Sequence, residues 1–237
     1  MEKNIIKENV LGAQIEKLRF ASGLSRAELA KTLGLSATQF GDILKGRSET
    51  RVRVLDKIAD VFDVPTDYLL VGYHDAFVEF AIDGYMSRMG EERLRALLSG
   101  LGSFVGMKCE AEVTHDTASP SSVLKSAAQT SKVSRSKLRS YRERLGLTQA
   151  EISEKLGVSQ NHYSNYENEK VSLSFQTHIH LCLILEKSSE CITKENRSDL
   201  VLTEKQRDYL HGLCEAERLR FLRLIKSIYE IDAVFPS

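Results

Sequence analysis

Apolar residues recur at helical spacing, and the breaks between the stripes are marked by glycine and by capping residues. In "SKLRSYRERLG" (136–146), Leu138, Tyr141 and Leu145 fall at i, i+3 and i+7, one apolar stripe that Gly146 closes. "TQAE" (148–151) has the capping-box spacing, with Thr148 at the N-cap and Glu151 reaching back to it. The short helix this predicts ends at Gly157, and Ser159 caps another. "SRAE" (25–28) follows the same grammar, ending at Gly34 before Ser36, which has Gln39 at its own capping-box position. Two short capped helices joined by a tight glycine turn make a helix-turn-helix. Ala27 and Ala150 read as the small residues required where its two helices cross.

One segment has an unusual polar face. In "LGVSQNHYSNYENEK" (156–170) the apolar anchors are Leu156, Val158, Tyr163 and Tyr166, and between them lie Gln160, Asn161, Ser164 and Asn165. A solvated helix face favours Glu, Lys and Arg, because Asn and Ser are weaker helix formers. Short amides and hydroxyls in this number therefore point to a contact surface.

The pattern occurs twice. "GLSRAELAKTLGLSATQFGDILKGR" (23–47) aligns without gaps on "GLTQAEISEKLGVSQNHYSNYENEK" (146–170) at a constant offset of 123. Glycine, capping and apolar positions coincide. "EERLRALL" (91–98) and "AERLRFLR" (216–223) echo each other at an offset of 125, so the duplicated unit is a small domain plus a trailing helix. The stretch 108–136, rich in Ser, Thr and Ala with little apolar periodicity, reads as a linker that is at least partly disordered.

At 42% hydrophobic and 28% charged residues, the composition is that of a globular protein, and three prolines with no tryptophan fit a mostly helical chain. No apolar run approaches a membrane span, and "MEKNIIKENV" lacks a signal-peptide core, so a soluble, cytoplasmic protein is expected. Four scattered cysteines agree with reduced thiols. The formal net charge is zero, so any basic surface must be local. Two stretches supply one: "KGRSETRVR" (45–53) and "KVSRSKLRSYRER" (132–144).

In spacing, caps, glycines and core positions, both copies resemble the Cro/CI-type (XRE) helix-turn-helix family of phage and bacterial regulators. The resemblance covers roughly 11–72, including "LDKIADVFDVPTDYLL" (55–70), and 135–170. It is looser over 171–200, where "SLSFQTHIHLCLILEKSS" departs from the pattern. It implies an all-α fold: two lambda-repressor-like helix-turn-helix domains, 9–72 and 135–200, each followed by a helical segment, 75–107 and 203–235, with a flexible linker at 108–134. It also implies sequence-specific binding of double-stranded DNA by a transcriptional regulator, with repression the expected sense. In this family the second motif helix lies in the major groove with its N-terminal residues on base edges. Gln160, Asn161, Ser164 and Asn165 then become the base readers of the second copy, since an amide presents the donor and acceptor that adenine matches. Tyr163 and Tyr166 are the inward anchors, equivalent to Phe40 and Ile43. Gln149 and Asn168 occupy positions that meet the DNA backbone.

The first copy is poorer in readers. Its equivalents are Ala37, Thr38, Gly41 and Asp42. Thr38 can touch a thymine methyl and Asp42 can accept from a cytosine, whereas Gly41 reads nothing. Arg26, Lys45, Arg47 and Arg51 are placed to hold phosphates. Because the heads differ, an asymmetric two-part site is expected. A linker of about 25 residues spans roughly 28 Å, enough for neighbouring half-sites. The trailing helices leave two arrangements open: each caps its own domain's core, or they pair with each other or with another chain as a homodimer.

Enzymatic patterns are missing: no Walker loop, GxSxG, HExxH or CxxC pair occurs. "HIHLC" (178–182) with Cys191 is the most metal-like cluster, but on a helix His178 and Cys182 share a face that His180 does not. His211 and Cys214 have an equally weak claim. No catalytic residue, metal or cofactor is expected. The rival reading from another class is a protein-interaction or antitoxin-like module of a mobile element whose motifs no longer read DNA.

Overall fold

The computed structural model describes residues 10–48, 50–89, 97, 135–168, 170–193 and 204–234. The linker expected at 108–134 and most of the trailing segment beyond residue 89 lie outside them. Among the described residues the chain is helical throughout, with one isolated β-bridge. The first half contains α1 (Val10–Ala21), α2 (Arg26–Leu33), α3 (Ala37–Leu44), α4 (Val52–Val61), α5 (Thr66–Leu69) and α6 (Ala76–Met86). The second contains α7 (Arg135–Arg144), α8 (Gln149–Leu156), α9 (Gln160–Glu167), α10 (Phe175–Leu185), α11 (Ser189–Thr193), α12 (Glu204–Gly212) and α13 (Glu215–Val234).

Local chemistry accounts for the motif boundaries. Ser25 accepts from the Glu28 amide while the Glu28 carboxylate accepts from the Ser25 amide, and Thr148 with Glu151 and Ser36 with Gln39 do the same. Ser159 accepts from the His162 amide, but histidine replaces the residue that completes the box in α3. Gly34 and Gly157 end α2 and α8 at φ 69° and 68°, a conformation that carries little cost for glycine alone. The offset of 123 extends past the motif: α10 starts where α4 maps, and α11 where α5 maps, although the sequence of 171–200 departs from the family pattern.

Two sequence expectations need correction. Ala27 and Ala150 are exposed. The helix-crossing position is three residues later, at Ala30 and Ser153, 3% and 4% exposed, and Ser153 hides its hydroxyl by donating to the Ala150 carbonyl at 2.8 Å. Leu145 is also out of the core, because α7 ends at Arg144 and the chain turns away; Leu138 and Tyr141 alone carry the buried stripe.

The halves dock through equivalent segments. Arg51 forms its antiparallel bridge with Ser174, its own counterpart at the offset of 123. Helix α5 packs on α11, again its counterpart. Contact between a segment and its own duplicate marks a local two-fold axis, the geometry of an isologous dimer interface inside one chain. Where α5 meets α11, the Ser189 amide donates to Asp67 Oδ1 at 2.7 Å, and Arg88 pairs with buried Glu190 at 2.7 Å. Tyr73 and Phe175 meet edge to face at 5.5 Å.

The C-terminal helix joins the halves a second time. Helix α13 packs along α6 of the first half, with Leu222 and Ile225 buried. Arg218 reaches Asp75 at 2.7 Å, Tyr229 donates to Asp63 at 3.0 Å, and His211 meets Glu79 at 2.8 Å. Of the two arrangements the sequence left open, the contact between C-terminal and first-half segments is made here within one chain.

Candidate nucleic-acid interface

In the second head, Tyr163 and Tyr166 anchor α9 from inside, at 0% and 5% exposure. A 3.6-residue repeat then puts the other side of the helix in solvent. Gln160 and Asn161 are exposed, Asn165 and Ser164 half-buried, so all four predicted readers share the outer face. Asn168 is exposed, but its amide nitrogen donates to the Ser164 carbonyl at 2.7 Å and contacts the Ser164 hydroxyl at 3.3 Å. It therefore closes the helix end.

Behind this face lies a charged network that the sequence reading missed. Glu167 is 5% exposed and accepts from Arg142 Nε at 2.6 Å and from Gln149 Nε2 at 2.6 Å. Burial works against its charge, yet the hydrogen bonds from Arg142 and Gln149 prevail and hold the carboxyl below its ordinary range. Arg142 also donates to the Leu147 carbonyl at 2.7 Å, tying α7 to the turn before α8. Gln149 is thus held by α9 itself. The pairing has no short-range sequence signature, since Arg142 and Glu167 are 25 residues apart.

A second omission is His162. It is exposed on α9 among the readers and stacks on Tyr166 with ring centroids 4.8 Å apart. Its place at the vacant capping-box position was the available clue.

The first head is built differently. Thr38 is exposed and Asp42 half-buried beside Gly41. Leu44 stands where the second head has Glu167, so Arg19, the counterpart of Arg142, turns to Glu16 instead. Arg26 joins the same carboxylate at 3.1 Å. Those hydrogen bonds hold Glu16 down to about 2. Arg26 thus shares its charge with Glu16 yet stays exposed, as do Lys45, Arg47 and Arg51.

The metal-like cluster resolves into packing. His178 is buried and shares a hydrogen bond with Ser189 Oγ at 2.8 Å, with Cys182 Sγ 3.6 Å from the same nitrogen. Burial lowers its pKa to about 4. His211 faces Glu79 rather than Cys214. Among the described residues no helix is long and apolar enough to cross a membrane.

Two capped three-helix cores, each presenting a second motif helix outward, define a protein with paired helix-turn-helix heads. Family models agree: a helix-turn-helix model matches residues 138–188 and a helix-turn-helix domain model matches 10–69. The chain is also similar to YonR, an HTH-type transcriptional regulator from the SPbeta prophage of Bacillus subtilis (strain 168). The two are 30% identical over 97 residues, covering 38% of this chain and 90% of that protein. The chain therefore belongs to the XRE-type helix-turn-helix family of DNA-binding transcriptional regulators. No solved structure matches it.

Proposed function

We propose that this protein is a repressor that reads a single operator with two unlike heads, each laying its second motif helix in the major groove. Gln160, Asn161, Ser164 and Asn165 read bases for the second head, and Gln149 and Asn168 meet the sugar-phosphate backbone. Thr38 and Asp42 offer limited reading in the first head, where Lys45, Arg47 and Arg51 with Arg26 hold phosphates. The single observation that carries this reading is that Arg51 meets Ser174 and α5 meets α11, each segment touching its own duplicate, as across a local two-fold axis. Heads related by such an axis meet DNA as inverted half-sites at a set spacing, about one helical turn apart. Because their readers differ, the half-sites differ in sequence. Similarity to a prophage regulator and the exposure of the four readers on one face support the same conclusion.

The test is selection from a random DNA pool at moderate salt, with the intact chain and with a variant carrying Gln160→Ala, Asn161→Ala and Asn165→Ala. The expected result is an inverted, unequal two-part site whose richer half disappears in the variant. Loss of a bidentate base contact costs about 1–3 kcal/mol per position. Enrichment of no sequence by the intact chain rejects the reading.

A further inference from the structure

Between α1, α2 and α3 of the first head lies an open cleft of about 490 Å³. Phe40 and Leu44, 1% and 7% exposed, lie beneath it, and the exposed methyls of Ala13, Ala27 and Ala37 with Gly41 give it a low apolar lining. At the corresponding positions of the second head, Gln160, Ser164 and Glu167 replace Ala37, Gly41 and Leu44, and Glu167 is locked by Arg142 and Gln149. The same scaffold is thus polar in one head, apolar and open in the other.

Charge at the rim is specific. Glu16 neutralises Arg26 across one side of the cleft. Lys45 lies on the other, exposed, and among the described residues no carboxylate is within ion-pair distance of it. A low apolar lining beside an exposed ammonium fits an occupant with a compact apolar body and one negative charge. The volume falls within the roughly 300–1,000 Å³ typical of small-molecule sites.

We infer that the first head is a receptor for a small organic anion, an aryl or alkyl carboxylate, whose apolar body lies against Ala13, Ala27 and Ala37 and whose carboxylate pairs with Lys45. Ala37 and Gly41 wall the cleft and also stand at reading positions, so a bound ligand covers the face this head turns to DNA. That second consequence rests on the function proposed above; the binding itself does not. The duplication has then divided the labour: the second head carries most of the reading, and the first adds sensing to its limited reading.

The test uses 1-naphthoate as probe, with the full-length chain and amide-resolved NMR. Saturable shifts of Ala37, Gly41 and Lys45 are expected, with a Kd on the order of 1 mM or tighter. Gly41→Leu fills the cleft; nothing lies within 4 Å of a Cβ added there, and leucine is the better helix former, so the fold is retained. It should weaken naphthoate by at least about tenfold, equivalent to ~1.4 kcal/mol. Lys45→Gln should weaken it about two- to fivefold, the scale of an exposed ion pair. Neutral 1-naphthalenemethanol should bind less well than the anion.

Equal binding to Gly41→Leu, equal binding of the neutral analogue, or no saturation by the intact chain overturns the assignment. So does a cleft whose amides respond only to DNA, which makes it part of the DNA face. On selected operator DNA, naphthoate should lower the affinity of the intact chain and leave that of Gly41→Leu unchanged. If the chain selects no DNA, the proposed function fails while the naphthoate titration still decides the receptor site.

Discussion

Glu167 accepts hydrogen bonds from Arg142 and Gln149, and its counterpart in the other head is Leu44. A buried carboxylate flanked this way is a conditional stabiliser, because removing one member strands the other's charge. Glu167→Gln should cost about 3 kcal/mol or more in urea unfolding, as Arg142 then keeps a buried charge without its counterion. If the variant unfolds within a few tenths of a kcal/mol of the parent, Arg142 does not depend on Glu167. The outer residues of α9 were legible in the sequence, since amides at the start of a capped helix are a local signal. Glu167 was not, because its partners come from two other helices. Ala27 and Ala30 teach the same lesson. Both are small and three apart on one helix, and only the neighbouring helix decides which is covered.

Where α5 meets α11, burial sets opposing demands on two titrating groups. Desolvation raises Asp67 from 3.8 to about 7, partly offset by the bond from the Ser189 amide, and the nearby Glu190 charge adds to the rise. Desolvation lowers His178 from 6.5 to about 4. Between about pH 4 and 6.5 folded Asp67 holds a proton its unfolded form has lost, so this group makes stability fall as pH rises. Over the same window unfolded His178 binds a proton the folded ring refuses, so stability rises with pH. The two largely cancel. Asp67→Asn should therefore expose a stability that climbs by about 1 kcal/mol per pH unit from 4 to 6.5 relative to the parent, and His178→Gln one that declines by a similar slope. Denaturant titrations across that range check it; parallel pH profiles for parent and both variants would refute it. Close packing adds a steric condition here. A Cβ on Gly84 of α6 would lie 2.7 Å from Pro65 Cβ, so Gly84→Ala should destabilise by about 1–3 kcal/mol, measurable as a lower Tm.

For the whole molecule, the decisive arrangement is the docking of one half on the other. Ser189 on Asp67, Glu190 on Arg88 and Tyr73 on Phe175 join the two halves, and α13 lies over α6. A protease site placed between residues 115 and 125 tests it. After cleavage the two halves should elute together as a 1:1 complex, and separate elution would show that the interface does not hold them. Of the arrangements the sequence left open, this one adds contacts between the halves to the linker that joins them.

What the sequence by itself determined is whatever depends on near neighbours: the capped helices, their glycine stops, the duplication at an offset of 123 and the amide-rich face of α9. A cap or an apolar stripe is settled within about four residues, so it can be read along the chain. Only the tertiary structure decided the rest: that the duplicates meet across a local two-fold axis, that Arg142 and Glu167 hold Gln149, that α13 returns to α6, and that the first head encloses a cleft. Each depends on groups brought together from distant parts of the chain, where the energy lies in complementary shape and charge that no periodicity encodes.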